Sequence, residues 1–96
     1  MWIRLIEIYI DIDKTDEFRQ IYKTQIIPVL KAQKGNIDAF LMESQDRPGQ
    51  MISFTSWKTR TDGDVYESSG DYVKNVNRVK HLFTEMPTLW SYAVTI

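Results

Sequence analysis

The chain has 96 residues, a formal net charge of −1, one histidine and no cysteine. Disulfides and zinc–thiolate sites are therefore excluded, and a single imidazole cannot form a two-histidine metal site. The balanced charge lacks the basic excess that nucleic acid or an anionic membrane surface attracts. We expect one domain spanning residues 1–96, with no metal, nucleic-acid or membrane partner.

Targeting signals are not apparent in the sequence. No apolar stretch approaches the ~20 residues of a membrane-spanning helix. The N-terminus does not combine a basic segment, an apolar core and a small-residue cleavage site, so a secretion signal is not predicted. We expect a cytoplasmic protein. A chain of this length buries only about 60–65% of its unfolded surface, so pairing with a second copy would add to its stability.

The first segment, residues 3–10, is rich in β-branched and aromatic residues and predicts a strand. The strand is apolar on both faces, which is typical of a strand covered on both sides. Glu7 is its only acidic residue and shares a face with Leu5 and Tyr9. It is either paired or partly solvated, or it is buried and is then the best candidate for a general base.

A long helix is predicted next, with cap candidates at Asp13 and Thr15 and a C-terminal glycine at Gly35. Pro28 lies inside the helical pattern and removes one backbone donor, so we expect a kink near residues 24–28 rather than two helices. The stripe that predicts the helix is apolar at helical spacing: Phe18, Ile21, Tyr22, Ile26, Val29 and Leu30.

Two further strands, residues 37–44 and 51–57, flank a Pro-Gly turn and predict an antiparallel hairpin. Trp57 ends the second of them. It is either a core or interface residue, or it forms the wall of a pocket for a flat aromatic ligand.

Residues 59–70 are polar and punctuated by glycine, so we expect a loop with at most one short helical turn. Tyr66 either anchors this loop or faces the same pocket as Trp57. Asp71 is the expected cap of a second long helix, on which Asn75 is expected to be solvated and His81 to face solvent. A last strand is predicted over residues 89–96.

This order of segments predicts a ferredoxin-like α+β fold, β-α-β-β-α-β, with a four-stranded antiparallel sheet and two long helices on one face. The first and last strands are apolar on both faces, yet the helices cover only one. We therefore expect the uncovered face to meet a second copy, giving a homodimer.

Several segments together resemble the antibiotic biosynthesis monooxygenase domain family. They are the helix ending in residues 28–35, the strand 52–57 that closes on Trp57, and the stretch from Tyr66 to Tyr72. The resemblance covers nearly the whole chain and implies a small dimeric α+β barrel. The family includes cofactor-independent monooxygenases of quinols and polyketide aromatics, haem-degrading monooxygenases, and members with no assigned reaction.

The haem-degrading members carry an asparagine on the first strand, a tryptophan near the position of Tyr66, and a histidine about ten residues later. Here the first strand has no asparagine, and Val76 follows Tyr66 at that distance. Cofactor-independent members carry an asparagine four residues before the tryptophan that matches Trp57, where this chain has Ser53. We expect no cofactor.

The resemblance implies a small aromatic or quinol-like substrate. Trp57 would pack against its ring, and Glu7 or Tyr66 would assist proton transfer. Ser53 and Asn75 are the other polar residues expected at the pocket, which would lie between the sheet and its helices. The alternative is a non-catalytic ligand-binding or structural dimer of the same fold.

Overall fold

A computed structural model describes all 96 residues. The four strands are β1 (Trp2–Tyr9), β2 (Asn36–Glu43), β3 (Gln50–Trp57) and β4 (Thr88–Ala93). They form one sheet in the order β2-β3-β1-β4, and every neighbouring pair is antiparallel. The predicted ferredoxin-like α+β fold is confirmed. The predicted last strand is too long, because β4 ends three residues before the C-terminus.

The first helical region is interrupted where the sequence predicts a kink. It runs through α1 (Thr15–Ile21), a π-helical segment (Tyr22–Ile26) and α2 (Ile27–Lys31). Pro28 has no backbone N–H, so the carbonyl four residues before it loses its α-helical donor. Just before Pro28, the N–H of Ile27 bonds to the carbonyl of Tyr22, five residues earlier instead of four. This wider spacing is that of a π-helix.

The predicted loop at residues 59–70 is wrong. Residues Arg60–Glu67 form a helix, α3, and the side chain of Thr59 caps it by accepting a hydrogen bond from the N–H of Asp62 at 3.2 Å. Gly63 lets α3 approach the sheet closely, because a Cβ at that position would lie 2.1 Å from a ring carbon of Trp2. This contact holds α3 against the start of β1.

The last helix, α4, spans Gly70–Val79, and a 3₁₀ turn over Lys80–Leu82 follows it. Its cap is Ser69 rather than the expected Asp71. The hydroxyl of Ser69 accepts from the N–H of Tyr72, while Asp71 lies in the first turn. None of the helices has the length and apolar character that crossing a bilayer requires.

The two faces of the sheet differ because side chains alternate along each strand. Ile6 and Ile8 of β1 point toward the helices and contribute to the core, whereas Ile3 and Leu5 point the other way. On that other face, which we call the open face, no helix covers the sheet. Its large side chains include Phe40, Trp90 and Tyr92, which are 52%, 46% and 52% exposed.

Candidate functional site

A cavity of about 270 Å³ lies between the covered face of the sheet and the helices. It has room for about nine water molecules at about 30 Å³ each, enough for one small ligand. Most of its wall is apolar or aromatic, as is usual for small-molecule sites. The lining residues are Arg4, Ile6, Ile8, Phe18, Tyr22, Ile26, Leu30, Ser53, Thr55, Tyr66, Glu67, Tyr72, Asn75, Val76, Val79, Phe83, Met86, Pro87 and Leu89.

A second depression, of about 350 Å³, lies beside Trp2, Lys58 and Arg60 at the start of β1. It is more open to solvent than the first, although its volume is larger. Apart from Trp2, its wall consists of exposed residues. We therefore take the first cavity as the candidate site.

Tyr22 and Ser53 form one buried polar pair in the cavity wall. Their hydroxyl groups hydrogen-bond to each other between the π-helical segment and β3. Burial raises the pKa of Tyr22 to about 12, and the bond from Ser53 offsets part of that shift. At neutral pH Tyr22 is therefore protonated, and the pair offers hydroxyl groups but no charge.

Tyr66 is held by a chain of two side chains from α4. Arg78 donates to Oδ1 of Asn75, and Nδ2 of Asn75 donates to the Tyr66 hydroxyl at 2.8 Å. Because a guanidinium can only donate, the Asn75 amide must present its nitrogen to Tyr66. The Tyr66 hydroxyl thus accepts from the protein and donates to no protein group. Its own hydrogen is free for an acceptor in the cavity.

The pKa of Tyr66 supports the same assignment. Burial raises it to about 12, the hydrogen bond from Asn75 lowers it in part, and Tyr22 and Tyr72 raise it further. A phenol with such a pKa is protonated at neutral pH and cannot act as a base. It can instead donate a hydrogen bond to an oxygen on which negative charge develops.

The only charged residues in the wall are Arg4 and Glu67. Nε and Nη2 of Arg4 donate to the two carboxylate oxygens of Glu67 at 2.7 and 2.9 Å. The two side chains are 14% and 19% exposed. Tyr72 lies beside them, and its pKa is raised by its own burial and then by the Glu67 charge, which Arg4 partly offsets.

Sequence reasoning missed this ion pair. The two residues are 63 positions apart, and the sequence predicts a loop at Glu67. One signal was available: Arg4 alternates with Ile6 and Ile8 on the covered face of β1. A basic residue on an apolar strand face needs a partner in the same way that Glu7 does.

Three of the five predicted site residues line the cavity: Ser53, Tyr66 and Asn75. The expectation that Asn75 is solvated is wrong, because it is 4% exposed. It lies on the buried side of α4, where Tyr66 and Arg78 satisfy its amide.

Trp57 is not part of the cavity wall. It is 1% exposed and stacks on the Tyr66 ring, with ring centroids 5.5 Å apart and an angle of 23° between the planes. Its Nε1 donates to Oγ1 of Thr55 at 2.9 Å. Trp57 therefore supports Tyr66 from behind and cannot stack on a ligand without rearrangement.

Glu7 is not at the cavity either. Alternation along β1 places it on the open face with Leu5 and Tyr9, and its carboxylate accepts from the Tyr9 hydroxyl at 3.2 Å. The expectation that the topology brings Glu7 to the pocket is wrong. The reason is that the helices cover the face carrying Ile6 and Ile8.

The protein holds no group of three or more His, Cys, Asp or Glu side chains close enough together to bind a metal ion. The single histidine, His81, lies at the surface as predicted, 3.4 Å from the carboxylate of Glu17.

Comparisons with known proteins agree with the fold. A family model described as antibiotic biosynthesis monooxygenase matches residues 1–78. No curated protein matches significantly.

Solved structures match along nearly the whole chain. A protein from Nitrosomonas europaea, provisionally named an antibiotic biosynthesis monooxygenase, is 19% identical with a TM-score of 0.84 and full coverage of both chains. A protein of the same provisional name from Deinococcus radiodurans is 14% identical with a TM-score of 0.86, covering 100% of this chain and 94% of its own. An asparagine-to-alanine variant of SnoaB, a cofactor-independent oxygenase from Streptomyces nogalater, is 9% identical with a TM-score of 0.81, covering 97% and 91%. At these identities the structures support the fold, and with the match over residues 1–78 the chain belongs to the antibiotic biosynthesis monooxygenase family.

Proposed function

We propose that the protein is a cofactor-independent monooxygenase that oxidises a small reduced aromatic, such as a quinol or naphthol, in the cavity between the sheet and the helices. The observation that carries the proposal is the Tyr66 hydroxyl. It is buried in an apolar wall, it is held by Asn75 and Arg78, and its hydrogen is free to donate into the cavity. Membership of a monooxygenase family supports the reaction class.

The substrate itself supplies the electrons in such a reaction. An arenol that loses its hydroxyl proton becomes electron-rich enough to reduce O₂. One oxygen atom then enters the ring as a carbonyl and the other leaves as water, so the arenol becomes a quinone and the atoms balance. The protein has to exclude water, hold the ring and stabilise the developing charge. Tyr66 would donate to the substrate oxygen, while Ser53 and Tyr22 supply a second polar contact.

We further propose that the protein works as a homodimer joined through the open faces of two sheets. Phe40, Met42, Trp90 and Tyr92 on that face are 42–52% exposed, and monomeric proteins seldom leave so many large apolar side chains together in water. A stable interface buries about 1,200–2,000 Å² in total. The arrangement leaves the cavity, on the other face of the sheet, free for substrate.

A second candidate is a non-catalytic ligand-binding dimer of the same fold. Trp57 favours it, because this residue is sealed behind Tyr66 instead of facing the cavity. The two candidates share the cavity and differ in whether the bound aromatic is turned over.

Oxygen uptake separates them. Purified protein is mixed with a panel of quinols and hydroxynaphthalenes, and O₂ consumption is followed together with incorporation of isotopically labelled oxygen into the product. The proposal expects uptake with at least one arenol, one labelled atom per product molecule, and a large loss of rate in Tyr66→Phe. Tight binding of the same arenols without uptake would favour the non-catalytic dimer.

A further inference from the structure

The ion pair of Arg4 and Glu67 joins β1 to α3 in the cavity wall, and stability alone gives little reason for a charged pair at this place. Replacing a buried ion pair by packed apolar side chains is often neutral or stabilising. Nε and Nη2 of Arg4 donate hydrogen bonds to Glu67, and its Nη1 group has no acceptor in the protein. Both residues nevertheless border an otherwise apolar cavity.

We propose that Glu67 is the general base that deprotonates the substrate hydroxyl, with Arg4 holding the carboxylate and stabilising the phenolate that forms. This inference rests on the proposed function. In the step, the O–H bond of the arenol breaks and a new O–H bond forms on Glu67. The electron pair stays on the substrate oxygen, and no electron leaves the substrate.

Glu67 can take the substrate proton at low energetic cost because the net charge inside the cavity does not change. Before the transfer the cavity holds the cation of Arg4 and the anion of Glu67, and afterwards it holds the same cation and a phenolate. The net charge of the site is zero in both states, so no uncompensated charge is created in an apolar wall, where it would be costly. Nη1 of Arg4 is the free donor that the phenolate oxygen requires.

No other residue on the wall can accept the proton in this way. Tyr22 and Tyr66 are protonated phenols, and Glu7 lies on the opposite face of the sheet. The one other titratable group beside the pair is Tyr72 of α4, whose pKa is raised so that it also remains protonated. Glu67 is the only carboxylate that borders the cavity.

The first test compares substrates of different acidity. Glu67→Gln keeps an oxygen that can accept from Arg4 but cannot take up the proton. With 1-naphthol, a weak acid, we expect kcat/KM to fall about 10²–10⁴-fold. With a chlorinated 1-naphthol that is already ionised at the assay pH, we expect no loss of kcat/KM in the variant, and a gain of up to about tenfold because the anion binds more tightly once the Glu67 charge is gone.

The matched control is Asp64→Asn, which removes an exposed carboxylate one turn earlier on the same helix. It should leave both substrates unaffected. A purely structural role for Glu67 would reduce the rates with both substrates by the same factor, and that result would overturn the inference. Circular dichroism of Glu67→Gln checks that the variant is folded.

The second test needs no turnover. In Glu67→Gln the Arg4 charge loses its competing anion, so 4-nitrophenolate should bind about tenfold or more tightly than it binds to the wild type. The uncharged methyl ether, 4-nitroanisole, should bind both proteins equally. Unchanged affinity for the phenolate would place the pair away from the ligand's hydroxyl and overturn the inference.

The two tests also separate this inference from the function on which it rests. If the wild type oxidises no arenol, the proposed function and the base role of Glu67 fall together, and the phenolate comparison still decides whether Arg4 and Glu67 contact the ligand. If the wild type oxidises 1-naphthol and Glu67→Gln does so equally well, the function stands and the base is another group.

Discussion

The two faces of the sheet are formed by the same four strands but differ in the side chains that they present. On the covered face, the polar side chains are few, and each buried one has a partner: Tyr22 with Ser53, and Tyr66 with Asn75. On the open face, large apolar side chains such as Trp90 and Tyr92 remain about half exposed. The proposed function therefore assigns the small ligand to the covered face and the second copy of the chain to the open face.

The largest expected effect is a loss of stability on replacing Trp57, which lies behind the cavity wall. Trp57 is fully buried between the sheet and Tyr66, so Trp57→Ala should lower the free energy of unfolding by about 3–5 kcal/mol. Urea denaturation measures the loss. Trp57→Phe is the control, since it keeps a ring against Tyr66 and should cost clearly less. An equal loss in both variants would mean that the indole hydrogen bond to Thr55, rather than stacking, dominates.

The next effect concerns the open face. Trp90→Glu places a charge among exposed apolar side chains and should weaken the proposed dimer by about 2–4 kcal/mol, the range of an interface hot spot. Sedimentation equilibrium measures the dissociation constant. Val73→Glu, which replaces an exposed apolar residue on α4, should leave it unchanged. A wild-type protein that sediments as a monomer at micromolar concentration would contradict the assignment of this face.

A smaller effect is expected from removing an aromatic wall of the cavity. Tyr66→Ala should weaken the binding of a planar aromatic such as 1-naphthol by about 1–3 kcal/mol, from lost stacking and buried area together. Titration calorimetry measures the affinity, and sedimentation should find dimerisation unaffected. Tyr92→Ala on the open face is the reciprocal control, with weaker dimerisation and unchanged naphthol affinity. If either variant lost both naphthol affinity and dimerisation, the assignment of ligand binding to one face and dimerisation to the other would be wrong.

The last expected effect is a gradual loss of stability at alkaline pH. The pKa values of Tyr22 and Tyr66 rise from 10 to about 12 because both phenols are buried. Below pH 10 they are protonated in the folded and the unfolded chain. Between pH 10 and about 12 only the unfolded chain ionises, so stability should fall by about 1.4 kcal/mol per pH unit for each tyrosine.

Urea denaturation at pH 8, 10 and 11 checks this dependence. Tyr22→Phe should remove up to about half of the slope, since Tyr66 and, to a lesser degree, Tyr72 still have pKa values raised by burial. A slope that is the same in Tyr22→Phe and the wild type would mean that other groups cause the alkaline loss.

The sequence predicts the architecture well because periodicity and turn residues are local signals. The sheet order, the hairpin and the helical interruption before Pro28 all follow from such signals. Helix α3 was missed because Asp62, Gly63 and Asp64 have low helix propensity. The pair Thr59 and Asp62, three residues apart, was a cap signal that could have indicated it.

The site was harder to predict because its geometry depends on which sheet face the helices cover. Alternation along β1 separates Glu7 from Ile6 and Ile8, but the sequence does not say which set meets the helices. The partnership of Arg4 with Glu67 arises only after α3 has packed on β1. Tyr66, Asn75 and Ser53 were identified because polar or aromatic side chains near the helix–sheet layer are few.

One measurement tests the division of the two faces most directly. Isoleucine and leucine methyl groups are labelled with ¹³C, and nuclear Overhauser effects from bound 1-naphthol are recorded. Strand β1 carries reporters for both faces, with Ile6 and Ile8 toward the cavity and Ile3 and Leu5 on the open face. Among these four β1 reporters, we expect contacts from naphthol to Ile6 and Ile8 only. Contacts to Ile3 or Leu5 would place the ligand on the open face and contradict the account.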